Sequence, residues 1–150
     1  MKNLALSFAT VMMISAPAFA TGGIWCQTDD ATLKFEVSAV TSRSFAQGIV
    51  SADGLLEYKD TDGKPNVSVF RFVKEDIRQY WNNGEDLKLY FYQENDSSED
   101  DYTWIQAVVE TKANGDESEF KGTLKTKMAS TVAGRTTEHE YEGNITCSVE

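Results

Sequence analysis

The chain has 150 residues, with 14 Lys and Arg against 24 Asp and Glu, which gives a formal net charge of −10 at pH 7. This excess of acidic residues disfavours nucleic acid and anionic membranes as partners, because association would begin against electrostatic repulsion. It favours a cationic protein or peptide, although acidic charge also serves simply to keep an exported domain soluble.

The first twenty residues resemble a secretory signal peptide of bacterial type. Lys2 supplies a positive start, residues 4–14 form an apolar run, and Ala18 and Ala20 flank Phe19 in the small-x-small pattern of a cleavage site. The apolar run is too short to span a bilayer comfortably, and an uncleaved anchor is the alternative. We therefore expect residues 1–20 to be removed and 21–150 to form one domain in the periplasm or outside the cell, with no transmembrane segment.

The two cysteines, Cys26 and Cys147, lie near the two ends of this expected domain. In an exported chain such a pair is most simply one disulfide bond. A catalytic dithiol would need close spacing, and two distant cysteines with one histidine do not make a zinc site. A disulfide between the first and last predicted strands makes those strands neighbours, which indicates a closed sheet.

Little of the chain beyond residue 20 predicts helix, and much of it predicts strand. Asn-Gly and Asp-Gly pairs recur between apolar runs and readily take the positive φ of tight hairpin turns. These pairs are Asp53-Gly54, Asp62-Gly63, Asn83-Gly84 and Asn114-Gly115. The candidate strands are 23–28, 32–39, 44–52, 54–59, 66–73, 86–94, 102–112, 117–128 and 136–148. This pattern predicts an all-β fold, a single antiparallel meander closing into a small β-barrel of about eight strands, with a sandwich joined at its edge as the alternative.

The last three strands can be aligned by their alternation. A two-residue turn at Asn114-Gly115 places Val109 opposite Phe120, and the next hairpin places Leu124 opposite Tyr141. On the other face this register sets lysines against glutamates, namely Lys125 against Glu140 and Lys127 against Glu138.

Strands 66–73 and 86–92 carry bulky apolar side chains on both faces. Something must cover the second face, which would be a helix, a partner subunit or a ligand. The stretch from Lys74 to Trp81 predicts at most one short helix, near residues 74–81, as this cover.

No catalytic constellation is present, so the sequence predicts a non-enzymatic protein without a cofactor or metal site. His139 is the single histidine, and the register places it on the apolar face, where it packs rather than acts as a base or ligand. The facing lysines explain the glutamates at 138, 140 and 142 as a solvated surface. The acidic loops 60–63 and 94–101 lack the ordered ligand pattern of a calcium loop, and calcium binding there is the alternative to simple solvation.

Four aromatic residues are the candidates for a binding surface. Trp104 projects from the outward face of its strand, beside Tyr90 and Tyr92, and Trp81 ends the predicted helix. The predicted register places Lys125 opposite Trp104, and a ring covered by a lysine stem is a common surface pairing. The alternative is an exposed tryptophan beside the two tyrosines, which would favour contact with a sugar or a protein.

The segment Gly23-Ile24-Trp25 resembles the G-x-W opening of lipocalin and avidin barrels. The resemblance covers these three residues, and it implies an up-and-down eight-stranded barrel that holds a small ligand at its open end.

These observations favour an exported binding or interaction protein. Its ligand would be a small molecule at the barrel mouth, or a cationic protein on the acidic exterior, as for an inhibitor of a basic lytic enzyme. The alternative is a structural envelope protein that forms homo-oligomers through the two-faced strands 66–73 and 86–92.

Overall fold

The computed structural model describes residues 21–42, 48–59, 69–98, 101–115 and 118–150. These residues form nine antiparallel strands and one short 3₁₀ turn. The strands are β1 (Thr21–Asp29), β2 (Leu33–Ser42), β3 (Gly48–Tyr58), β4 (Val69–Val73), β5 (Ile77–Asn82), β6 (Asp86–Ser98), β7 (Asp101–Ala113), β8 (Glu119–Val132) and β9 (Arg135–Val149), and the turn is Lys74–Asp76. The predicted all-β meander is confirmed.

One sheet contains all nine strands, in the order β4-β3-β2-β1-β9-β8-β7-β6-β5, with antiparallel neighbours throughout. The two end strands, β4 and β5, therefore run in the same direction, and only the turn Lys74–Asp76 separates them in the chain. They act as one interrupted strand, which pairs first with β3 and then with β6. Counted in this way the wall has about eight strand positions, as an antiparallel ring needs an even number.

The seam beside the interrupted strand is closed in part by a side chain. Gln93 of β6 donates from Nε2 to the backbone carbonyl of Arg71 on β4 at 3.0 Å. No backbone ladder joins β4 to β6 in the described part of the chain. The result is a nearly closed barrel.

The inside of the barrel is filled by the alternate side chains that point inward. The rings of Phe35, Phe72 and Phe91 meet there with centroids 5.1 to 6.4 Å apart, and all three side chains are fully buried. Burying one such side chain stabilises the fold by about 1.5–3 kcal/mol. The interior is therefore a packed core.

The cysteine pair lies where the barrel closes. Cys26 on β1 and Cys147 on β9 are direct cross-strand partners at disulfide distance, with Cα atoms 4.0 Å apart. The ladder between the first and last strands extends only over Ile24–Gln27 of β1, opposite Thr146–Val149 of β9. The prediction that the first and last strands are neighbours is thus confirmed.

The turn predicted at Asp53-Gly54 is wrong, because the single strand β3, Gly48–Tyr58, runs through it and joins the predicted strands 44–52 and 54–59, of which residues 44–47 lie outside the described part. Asp53 lies opposite Ser38 and Gly54 opposite Val37 in an unbroken ladder. A Cβ on Gly54 would lie 3.2 Å from the Val37 side chain and 3.4 Å from that of Phe72. The glycine therefore relieves crowding between strands rather than making a turn.

The helix predicted near residues 74–81 is reduced to the 3₁₀ turn Lys74–Asp76, and Ile77–Asn82 is strand β5. The Asp76 carboxylate accepts the backbone N–H of Val73 at 2.9 Å and so fixes the turn. Beyond it, Ile77 pairs with Phe91 of β6. The backbone of β6 needs hydrogen-bond partners along this edge, and β5 supplies them where a helix would not.

The faces predicted for the last three strands are correct, and their register is wrong. Val109 lies opposite Leu124 rather than Phe120, and Leu124 in turn lies opposite Gly143. The connection between β7 and β8 takes residues 114–118 instead of a two-residue turn. The two register errors are four residues between β7 and β8 and two residues between β8 and β9. Because both are even numbers, every side chain stays on its predicted face.

Among the described residues, no helix is long and apolar enough to cross a membrane. Residues 1–20 lie outside the described part, so the signal peptide and the start of the domain at residue 21 remain predictions.

Candidate functional site

The four candidate aromatic residues occupy one outer surface of the barrel, on three neighbouring strands. Trp81 lies on β5, Tyr90 and Tyr92 on β6, and Trp104 on β7. Their neighbours in sequence point the other way, into the core, where Leu89, Phe91 and Ile105 are buried. We call Trp81, Tyr90, Tyr92 and Trp104 the aromatic face.

Tyr92 and Trp104 are in ring contact within the aromatic face. Tyr92 pairs with Gln106, and Trp104 pairs with Glu94, so the two rings are diagonal neighbours across β6 and β7. Their centroids lie 6.4 Å apart with planes inclined by 32°. The predicted position of Lys125 opposite Trp104 is wrong, because the β8 partner of Trp104 is Ala129 and Lys125 lies opposite Val108.

Arg78 joins the aromatic face from a bulge in β5. The register of β5 shifts between Ile77 and Gln79, which leaves Arg78 without a direct partner on β6. Its guanidinium lies over the ring of Tyr92, 6.0 Å from the centroid. This is a cation–π arrangement that sequence reasoning missed, because it placed Arg78 in a helix.

A carboxylate completes the group around Tyr92. The Tyr92 hydroxyl donates to Glu94, which raises the pKa of Tyr92 above its ordinary value. The same bond, a second one from Tyr102 and the nearby charge of Arg78 lower the pKa of Glu94. Glu94 therefore remains an exposed carboxylate at neutral and mildly acidic pH.

A shallow groove of about 520 Å³ extends along the aromatic face from Trp81 to Tyr90. Trp81 is 58% exposed, the highest value among the large apolar side chains described. Lys88 and Glu110 border the groove and form an ion pair at 3.2 Å. The groove thus combines an exposed indole with charged groups of both signs.

The neighbouring surface on β8 and β9 has a different character. Lys127 contacts Glu138 at 3.5 Å and Glu140 at 3.0 Å, while Lys125 contacts Glu142 at 3.6 Å rather than the predicted Glu140. These exposed pairs account for the row of glutamates as a salt-bridged surface, and such solvent-screened pairs add little to stability.

His139 lies on the inner side of β9, half-buried, with its ring 6.2 Å from that of Tyr58. Its Nε2 atom is buried without a hydrogen-bond partner among the described residues. No three His, Cys, Asp or Glu side chains of the described part gather at metal-binding distance. Residues 60–63 and the side chains of residues 96–101 lie outside that part, so calcium binding at those loops stays untested.

Two tyrosine hydroxyls make polar contacts at one end of the core. The Tyr58 hydroxyl lies 2.6 Å from Oγ1 of Thr126, and the Tyr141 hydroxyl donates to Asp30 at 2.6 Å. These contacts lie near the end of the barrel that holds the β1–β2 turn.

No family model, no curated protein and no solved structure matched the chain. The geometry of the aromatic face is therefore the basis for proposing a function.

Proposed function

We propose that this chain is an exported, non-enzymatic binding protein that contacts a basic partner protein through the aromatic face. The observation that carries the proposal is the group of four outward aromatic side chains, in which Arg78 lies over the ring of Tyr92. The neighbouring outer surface of the barrel, by contrast, consists of paired lysines and glutamates. Because the interior is packed with side chains, we place the binding surface on the outside of the barrel rather than at its mouth.

The composition of the aromatic face supports a protein partner. Trp, Tyr and Arg are the residues that most often dominate the binding energy of protein interfaces. The rings of Tyr92 and Trp104 already fix each other, so little side-chain entropy would be lost when a partner covers them. Trp81 offers an exposed indole that a partner can bury.

The charge of the chain supports a basic partner. A net charge of −10 would speed the approach of a cationic protein and slow that of an acidic one. The guanidinium of Arg78 lies over the ring of Tyr92, and its charge acts on the nearby Glu94 carboxylate. The same chemistry would accept an arginine or lysine of the partner.

Export to the periplasm or beyond is part of the proposal. It rests on the signal-like residues 1–20 and on the cysteine pair at disulfide distance, which is compatible with an oxidising compartment.

The test is calorimetric titration of residues 21–150 with two basic probes, a basic lysozyme and an arginine-rich peptide. We expect binding that weakens as salt rises from about 50 mM to about 300 mM, because charges beyond a Debye length become screened. Trp81→Ala and Tyr92→Ala should each weaken it at least about tenfold. Val40→Ala, which trims an exposed apolar residue on β2, is the control and should bind normally. Absence of binding to both probes, or equal binding by all variants, would overturn the proposal.

Self-association is the second candidate, and one observation favours it. Val69 and Val73 of β4 are 44% and 48% exposed beside the seam of the barrel. Light scattering after size exclusion separates the two functions. A dimer that persists in high salt and is lost in Val69→Ser with Val73→Ser would support assembly, whereas a monomer at all salt concentrations would exclude it.

A further inference from the structure

The third tryptophan, Trp25, also points outward and lies on strands that the aromatic face does not use. Trp25 of β1 pairs with Ser38 of β2 on one side and with Ser148 of β9 on the other. Ser38 in turn pairs with Asp53 of β3. Four outward side chains therefore form one row across four strands, with the indole between two serines.

The position of the Trp25 ring is set by Gly23. The six-membered ring of the indole takes the space where a Cβ of residue 23 would be, so only glycine leaves room for it. The ring is thereby held along its own strand while 42% of the residue stays exposed. The G-x-W pair thus builds a fixed aromatic platform on the outside of the barrel.

The small serines on either side leave a shallow groove of about 580 Å³ around this platform. Besides Trp25, its walls carry the Ser38 and Ser148 hydroxyls, the Gln27 amide and the Asp53 carboxylate. Hydroxyl and amide groups both donate and accept hydrogen bonds, and a carboxylate accepts them. The groove therefore offers one flat apolar surface surrounded by neutral and acidic hydrogen-bonding groups.

The charges at the rim of the groove are largely balanced. Glu36 is paired with Lys34 at 3.1 Å, and Glu119 with Lys121 at 3.0 Å. Asp53 has no ion pair with any described residue. One free carboxylate is a weak attraction for a cation in water, so charge is not the main feature of this groove.

We propose that the groove around Trp25 binds a neutral carbohydrate, namely a sugar chain of glucose or N-acetylglucosamine type. When the hydroxyls of a pyranose ring are equatorial, its face is a layer of C–H groups that stacks on a flat indole. The hydroxyls then project from the edge of the sugar ring, where Ser38, Ser148, Gln27 and Asp53 supply partners. This inference does not depend on the proposed function, because the two surfaces share no strand and no residue.

The test is a titration of isotope-labelled protein with chitotetraose and cellotetraose, followed by the indole N–H signals of its three tryptophans. The Trp25 signal is assigned as the one that Trp25→Ala removes. We expect that signal to shift with a dissociation constant below about 10 mM, while the Trp81 and Trp104 signals stay in place. Binding should persist in high salt, because the ligand is neutral.

Two variants separate the platform from the fold. Trp25→Ala should weaken binding at least about tenfold. Gly23→Ala keeps the indole but puts a Cβ where its ring lies, which turns the ring out into solvent, so this variant should fold and also lose binding. Lys112→Gln on β7 is the control and should bind as the parent does.

Three outcomes would overturn the proposal. They are a Trp25 signal unmoved by both sugars, sugar binding that survives Trp25→Ala, and a shift produced by arginine methyl ester in place of the sugars. The last outcome would make the groove a cation site. None of them bears on binding of a basic protein by the aromatic face, which involves Trp81 and Tyr92.

Discussion

Two aromatic rings in this barrel fold along their own strands onto a glycine two residues away. Trp25 lies against Gly23 on the outside, and Tyr141 lies against Gly143 on the inner side of β9. A Cβ at either glycine would overlap the ring. These two glycines therefore determine where the rings of Trp25 and Tyr141 lie.

The position of Tyr141 has a consequence for stability at alkaline pH. Its hydroxyl donates to Asp30 of the β1–β2 turn at 2.6 Å and so joins β9 to β1 beyond the end of their short ladder. Burial, and then this hydrogen bond, raise the pKa of Tyr141 to about 12. Because the folded pKa exceeds the unfolded value of about 10, the contribution is complete below pH 10 and is lost as pH rises towards 12.

We predict that Tyr141→Phe lowers the free energy of unfolding at neutral pH by about 1 kcal/mol, the typical net value of one hydrogen bond. The fall of Tm between about pH 10 and about pH 12 should also become shallower in this variant. Thermal unfolding followed by circular dichroism over this pH range measures both effects. Tyr80→Phe is the matched control, because the structure shows no hydrogen bond from the Tyr80 hydroxyl to a described residue. Equal slopes for the parent and Tyr141→Phe would contradict the role of this bond.

At the scale of elements, the barrel wall has two places where few backbone hydrogen bonds join neighbouring strands. One is the seam beside the interrupted strand β4–β5, and the other is the short ladder between β1 and β9. The cysteine pair lies within that ladder and joins residues 121 positions apart. A covalent link at this point restricts the unfolded chain and also holds the first and last strands together.

We predict that replacing both Cys26 and Cys147 by Ala lowers the free energy of unfolding by about 4–5 kcal/mol, as expected for a loop of this length. Urea unfolding of the oxidised parent, the reduced parent and the double variant measures the difference. The reduced parent should behave like the double variant, which controls for the loss of the cysteine side chains themselves. A change of less than about 1 kcal/mol would show that the barrel closes without the link.

The alternation of apolar and polar residues predicts which side chains point inward, but it does not predict how neighbouring strands are aligned. The inward positions of Leu89, Phe91 and Ile105 follow from the two-residue period, and so do the outward positions of Tyr90, Tyr92 and Trp104. That of Trp81 does not, because its segment predicted a helix. The register did not follow, because it depends on the length of the β7–β8 connection, which sequence alone leaves open.

The segment at β5 shows why local pattern is not sufficient. Ile77, Tyr80 and Trp81 have the spacing of a helical stripe, yet the segment is a strand. The edge of β6 decides the matter, since its backbone groups need hydrogen-bond partners and the preceding segment provides them only as a strand. For the same reason Arg78 was not expected beside Tyr92, although the four aromatic residues themselves were predicted as the binding candidates.

At the scale of the whole molecule, the exterior divides into surfaces of different chemistry. Strands β8 and β9 present lysines paired with glutamates, as at Lys127 and Glu140. Strands β5 to β7 present the aromatic face, and β1 to β3 with β9 present the groove around Trp25. The proposed partner rests on the aromatic face, because aromatic side chains that stay exposed add nothing to the stability of the fold.

The proposed binding of a basic partner by the aromatic face is tested most directly by the three indole N–H signals, when labelled protein is titrated with the basic lysozyme or the arginine-rich peptide at low salt. We expect the signals of Trp81 and Trp104 to shift or broaden and the signal of Trp25 to stay in place. Tyr92→Ala should abolish the effect. Changes confined to Trp25, or no change at any tryptophan with either probe, would contradict the proposal.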